Sequence, residues 1–336
     1  MKIDPATVPF TEGLHRLSHS CYAWIQPPGG FCLSNAGVIV SEGEALVVDT
    51  CIDRPRTQKM LDTMRRDIPG ISDFTHLVNT HGDVDHTGGN CLLPDAHSIM
   101  ATGAAKHYSN VEGMVASMYE AEGPAKLVLD ELGLGTLFDP KDVTYRAPDE
   151  LYEKRKDIKI GSCPVHFHEF GPAHNKSDTV VHAHDEGVAY AGDLMFCNCH
   201  PVLGYWPIQN WVDICDTLLS WNADVFVPGH GPVAGPQEVR RHRDYVLMLH
   251  EQAKIRFNKG MSVEDAAYDM FMSTPEFQQL FRGDILRKNV NVVYHEFMGK
   301  PVVEDFATHS ATRWEFREKI RGVARGIHFN HVPDGN

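Results

Sequence analysis

Short runs of β-branched and apolar residues in this chain keep ending on polar loops, and one such loop constrains the fold more than any other. "NTHGDVDHTGGN", residues 79–90, follows the strand-like "FTHLVNTH" and places His81, Asp83, Asp85 and His86 within six positions. Clustered carboxylates are costly to hold together unless a positive charge lies between them. A short loop with glycines on both sides lets these side chains converge, while Thr87, Gly88 and Gly89 begin the next element. The competing reading is that His and Asp beside a glycine turn merely satisfy nearby backbone groups.

The surrounding text alternates strand and helix. "AGVIV", "SEGE" and "ALVVDT" form a hairpin turning at Gly43 and ending at Asp49, and "PRTQKMLDTMRRDIPG" carries Met60, Leu61, Met64 and Ile68 at helical spacing. "DAHSIMATG" is a further strand. Residues 104–157 read as a helical excursion with loops, a candidate lid. Four more strands follow in "CPVHFHEFG", "DTVVHAHDEGVAYAGD" and "ADVFVPGHG", and from about 237 the chain turns helical, with Ser262 and Asp265 forming a helix start and Pro275 in a first turn. This alternation predicts an α/β layered fold. The boundaries read as a catalytic domain over 1–236 and a C-terminal helical extension over 237–336.

Three later strand ends also deliver ligating side chains: His174 in "GPAHNKSD", Asp193 in "AYAGDLMF" and His230 in "VFVPGHGP". With these in order, the chain resembles the metallo-β-lactamase superfamily over roughly residues 14 to 235. The family's pattern is an HxHxDH loop, then a distant His, an Asp and a last His. The resemblance implies an αββα sandwich, four layers deep, with two divalent metal ions at one edge of the sheets. Carried over by position, His81, Asp83 and His174 hold one ion and Asp85, His86 and His230 the other, with Asp193 and a bridging hydroxide shared. A metal pair of this kind lowers the pKa of bound water from 15.7 towards about 7. Asp85 is the candidate catalytic group, orienting that nucleophile or taking its proton, and Asp49 is expected to hydrogen-bond a ligand rather than bind metal itself.

Asp83 departs from the family, which carries a histidine there. Two divalent ions supply about +4, and Asp83, Asp85, Asp193 and a hydroxide about −4, so the centre is close to neutral. Zinc is the default ion; oxygen-rich ligation also suits manganese or iron. The alternative is that Asp83 faces away and one site stays weak or empty.

The implied function is a metal-dependent hydrolase cleaving an ester, thioester, lactone, amide or related bond of a small organic substrate. Two alternatives remain: an iron-dependent, oxygen-using member of the same fold, and a non-hydrolytic binding or sensing protein. His200, Phe196 and Trp206 are the expected substrate contacts, being close in sequence to Asp193. Phe196 stands where the homoserine-lactone lactonase branch carries tyrosine, which weighs against that activity. The pairs His166/His168 and His182/His184 read as solvent-facing strand residues, and Met114 and Met118 as packing with a share in the lid.

Composition sets the remaining expectations. A formal charge of −14 without a dense Lys/Arg block excludes a phosphate-tracking nucleic-acid surface. No apolar run approaches the roughly 18 residues of a spanning helix. Eight scattered cysteines read as reduced thiols. A cytoplasmic protein without a cleaved signal or a membrane partner is expected, its C-terminal helices either covering the pocket or forming a homodimer surface.

Overall fold

The computed structural model describes residues 3–71, 73–302 and 306–321. In chain order it runs β1 (Gly13–Arg16), β2 (Cys21–Ile25), β3 (Ala36–Ser41), β4 (Glu44–Val48), α1 (Arg54–Asp67), β5 (His76–Val78), the single turn α2 (Val84–Thr87), β6 (His97–Ala101), α3 (Thr102–Tyr108), α4 (Val111–Tyr119), α5 (Gly123–Leu132) and β7 (Glu150–Tyr152). The second half comprises β8 (Arg155–Ile160), β9 (Cys163–Phe170), β10 (Asp178–Ala183), β11 (Val188–Phe196), α6 (Gln209–Ser220), β12 (Val225–His230), α7 (Pro236–Asn258), α8 (Val263–Ser273), α9 (Pro275–Gln279), α10 (Leu286–Met298) and α11 (Phe306–Ile320).

The strands form a seven-stranded sheet in the order β1 to β7 and a five-stranded sheet in the order β12-β11-β10-β9-β8. Alternation along each strand sorts residues into layers. In β4, Leu46 and Val48 pack between the sheets against Val165, Phe167 and Val181, while Val47 joins Met60, Leu61 and Met64 of α1 on the outer face. In β12, Val225 and Val227 point inward, and Phe226 points out to Trp211 and Leu218 of α6 and Val246 of α7. The result is helix, sheet, sheet, helix: the expected αββα sandwich. Asp53 caps α1 by accepting from the Arg56 amide at 2.9 Å, and Ser262 caps α8 by accepting from the Asp265 amide at 3.1 Å.

Two boundaries differ from the sequence reading. The helical excursion contains helices only to Leu132, and its last residues belong to β7 and β8; "RKDIKI" alternates buried and exposed positions, a strand period that its charges disguise. The division at residue 236 does not interrupt the core, because α7, α8 and α10 share one apolar cluster with the outer face of the second sheet. Residues 322–336 of the expected extension lie outside those described.

The strand histidines are not all solvent-facing. His182 is buried and stacks on Trp221 with ring centres 4.6 Å apart, and His168 lies at the same distance from that ring. Burial pushes both imidazoles down to about 4, so they are neutral at ordinary pH. All eight cysteines are free thiols. Among the described residues no helix is long and apolar enough to cross a membrane.

Candidate metal centre

The centre lies along one edge where the two sheets meet. β5 delivers the 79–90 loop and Asp49 directly follows β4, while on the opposite sheet β12 ends at His230 and the β9–β10 connection carries His174. Asp193 lies within β11, where the pairing to β12 shifts register between Tyr190, Gly192 and Phe196. Such a bulge re-aims a side chain. Gly229 opposite is required, since a Cβ there would collide with the Asp193 carboxylate.

Seven side chains meet in overlapping groups. His81, Asp83 and His174 form one, Asp85, His86 and His230 another, and His81, His86 and Asp193 a third, each with ligating atoms within 4.8 Å of one another. Asp193 spans the first two. Its Oδ2 lies 3.4 Å from His174 Nε2, and its Oδ1 lies 3.2 Å from His86 Nε2 and 3.5 Å from His230 Nε2.

Hydrogen bonds at the far side of the rings aim three imidazoles. His86 Nδ1 donates to Asp49 at 2.9 Å, His174 Nδ1 to the Val202 carbonyl at 2.8 Å, and His81 Nδ1 to the Thr80 hydroxyl at 3.0 Å. Each leaves Nε2 turned to the centre, as metal-ligating histidines require. Asp49 is itself fixed by the Thr80 amide and hydroxyl, both at 2.7 Å, so it supports ligands as expected.

Asp83 faces the centre. Its Oδ2 lies 3.0 Å from His174 Nε2 and 3.4 Å from His81 Nε2, which argues against a carboxylate turned away. Its Oδ1 accepts from His107 Nε2 at 2.7 Å. His107, on α3, is a member of the site that sequence reasoning missed; nothing in "GAAKHYS" separates it from any surface histidine.

Electrostatics test whether cations fit. Burial by itself would raise the Asp83 carboxyl, but hydrogen bonds from His107, His174 and His81 outweigh it and hold the group well below the usual range. Asp193 is likewise held well below, burial being overcome by His230, His174 and His86. Burial disfavours charge on His174, yet Asp193 and Asp83 lift it to about 9, and Asp193 and Asp49 likewise hold His86 well above its usual value against its burial. The carboxylates therefore draw positive charge onto the imidazoles. Buried His81 Nε2, His86 Nε2 and Asp193 Oδ1 have no hydrogen-bond partner among the described residues. Orphaned ligand atoms converging on a proton-hungry centre suit divalent ions, whose uptake would release those protons.

A cavity of about 540 Å³ opens over the centre, reaching Asp83, Asp85, His174, Asp193 and His230. Met114, Met118, Val202 and Tyr205 form part of its wall, and the C-terminal segment supplies Arg282, Ile285 and Arg313. The C-terminal segment thus forms one wall of the cavity.

The expected substrate contacts do not reach this cavity. His200 is wholly buried, its Nδ1 2.7 Å from the Tyr245 hydroxyl and its Nε2 2.9 Å from the Phe277 carbonyl, and it ties β11 to the C-terminal helices. Phe196 lies beneath the centre, stacked on His230 with ring centres 5.4 Å apart. Trp206 packs half-buried against the apolar cluster of the C-terminal helices and donates to the Lys300 carbonyl at 3.0 Å, while its neighbour Tyr205 lines the cavity.

The model of the metallo-beta-lactamase superfamily matches residues 29–230. The chain belongs to that superfamily. Among relatives of this superfamily member is the linear primary-alkylsulfatase of Pseudomonas sp. (strain ATCC 19151), 23% identical over 291 residues, covering 76% of this chain and 54% of the alkylsulfatase. Among solved structures, the stereoselective inverting sec-alkylsulfatase Pisa1 from Pseudomonas sp. superposes with a TM-score of 0.60 at 16% identity, over 96% of this chain and 52% of that one. The metallo-beta-lactamase from Pontibacter korlensis superposes with a TM-score of 0.52 at 15% identity, over 70% of this chain and 99% of that one. The chain spans about half the length of the alkylsulfatases it matches.

Proposed function

We propose that this chain is a metal-dependent hydrolase of small organic esters, with His81, Asp83 and His174 holding one divalent ion, Asp85, His86 and His230 a second, and Asp193 shared. The observation that carries the reading is Asp193, whose two oxygens face opposite imidazole groups. Two ions held there would acidify water and polarise the scissile bond.

The chain's own residues supply the rest. Asp85 borders the cavity, and although burial opposes its charge, His230 and His86 keep it ionised, so it can orient an attacking water. Asp49, Thr80 and the Val202 carbonyl lock the ring orientations, so no reorganisation is needed during reaction. His107 holds Asp83 in place. Asp83 makes the ligand set richer in oxygen than that of relatives with the full histidine loop, which favours manganese or iron beside zinc.

The alkylsulfatase relatives make sulfate esters of alkyl chains the first class to test. Protein loaded in turn with zinc, manganese and iron is expected to hydrolyse at least one of a sulfate ester, carboxylic ester, thioester or lactone, and to lose turnover on chelation. Turnover insensitive to chelation, or oxygen consumption in place of hydrolysis, would reject the reading.

A further inference from the structure

The C-terminal wall of the cavity carries a buried positive charge that nothing in the metal centre uses. Arg282 is 7% exposed, lines the cavity, and among the described residues its guanidinium has no hydrogen bond or ion pair; its Nε is buried without a partner. A buried, unpaired guanidinium is rare because its desolvation goes uncompensated.

The neighbouring charges do not cancel it. Arg313 bonds to buried Asp284, and Arg317 pairs with Glu131, so three guanidiniums stand against two carboxylates. One positive charge is left over, and it faces the cavity. Arg313 also lines that wall, with its guanidinium 5.3 Å from the centre of the Phe31 ring. Asp83, Asp85 and Asp193 do not supply the missing anion, because each already faces an imidazole of the centre, His174, His230 and His86 respectively.

Arg282 is also rigidly placed. The Phe281 amide donates to the Asn198 carbonyl at 2.9 Å, and the His200 amide donates to the Phe281 carbonyl at 2.8 Å, pinning this segment to the chain just after Asp193. Arg282 itself adopts a left-handed backbone conformation, φ 61° and ψ 43°. Strained backbone persists where surrounding structure over-determines it, often at ligand clamps. Met114, Met118, Val202 and Ile285 give the same cavity its apolar surface.

We propose that Arg282, backed by Arg313, is a specificity-determining residue that holds a singly charged oxyanion of an amphiphilic substrate, whose apolar chain lies along Met114, Met118, Val202 and Ile285. This rests on the hydrolase reading and deepens it by naming the substrate's polar end. A planar guanidinium suits a sulfate-type or a carboxylate head, since both offer two oxygens in one plane. In a chain of net charge −14, a cationic pocket also concentrates an anion that the rest of the surface repels.

Calorimetric binding of non-hydrolysable ligands to the protein as purified separates this proposal from the hydrolase reading, because no turnover is involved. Decane-1-sulfonate and decanoate distinguish the two kinds of head, and decanol supplies the neutral chain. Wild type is expected to bind at least one anion about tenfold or more tighter than decanol. In R282M that preference should disappear while decanol binding persists. R282K, which keeps the charge but loses the fork, should retain only part of it, and both variants should melt as wild type does. Equal affinity for anions and decanol in wild type, or an unchanged preference in R282M and R282K, would overturn the proposal.

Discussion

Asp193→Ala is expected to strip the centre of both ions and reduce turnover by roughly 10³-fold or more, equivalent to about 4 kcal/mol of transition-state stabilisation. The reason is geometric. Asp193 Oδ2 faces His174 and Asp193 Oδ1 faces His86 and His230, so one side chain completes both halves of the centre. Removing it leaves imidazoles whose attraction for positive charge has lost its first-ranked source, since Asp193 is the main reason His174 and His86 are raised. Metal content by elemental analysis and turnover on whichever ester the wild type cleaves check the expectation together. Full metal content with unchanged turnover would place the chemistry elsewhere. Asp193→Asn separates charge from shape: it keeps one oxygen, and should retain some metal while losing most activity.

Asp284→Ala is expected to cost about 3–5 kcal/mol of stability, the usual penalty for breaking a buried ion pair from one side. Asp284 is 1% exposed and bonded to Arg313, and its charge is also felt by Arg282 and Arg317. Burial would raise its carboxyl, but Arg313 and Arg282 outweigh that and keep it ionised. Without it, guanidiniums would crowd together in a dry pocket. The C-terminal helix α11 carries Arg313 and Arg317, so its docking should weaken first, taking one wall of the cavity with it. Urea unfolding measures the loss, and a change below about 1 kcal/mol would mean that the pair is poorly desolvated in solution.

How much of this was legible in the sequence depends on what carried each signal. The candidate centre is readable because its His and Asp residues stand at strand ends in a fixed order, and a strand end is a place that local patterning can find. The four layers were readable because Leu46, Val47 and Val48, or Val225, Phe226 and Val227, alternate between two apolar faces. The substrate wall was not. Closeness in sequence to Asp193 points to His200, Phe196 and Trp206, but the chain turns inward after β11 to pair with Phe281, which buries His200 and sets Trp206 against the outer apolar cluster, away from the cavity. Arg282 and Arg313, which do line the cavity, come from a helical segment some distance past His230, with no motif to mark them. His107 was invisible for the same reason: its role exists only through a contact 24 residues away. β8 was hidden by composition, since Arg155, Lys156, Asp157 and Lys159 obscure an alternating strand.

Elemental analysis of protein purified without added metal decides whether the centre is a paired cation site. Two ions per chain are predicted, with Asp83 serving the first. At most one ion per chain, with Asp83→His restoring the second, would contradict it.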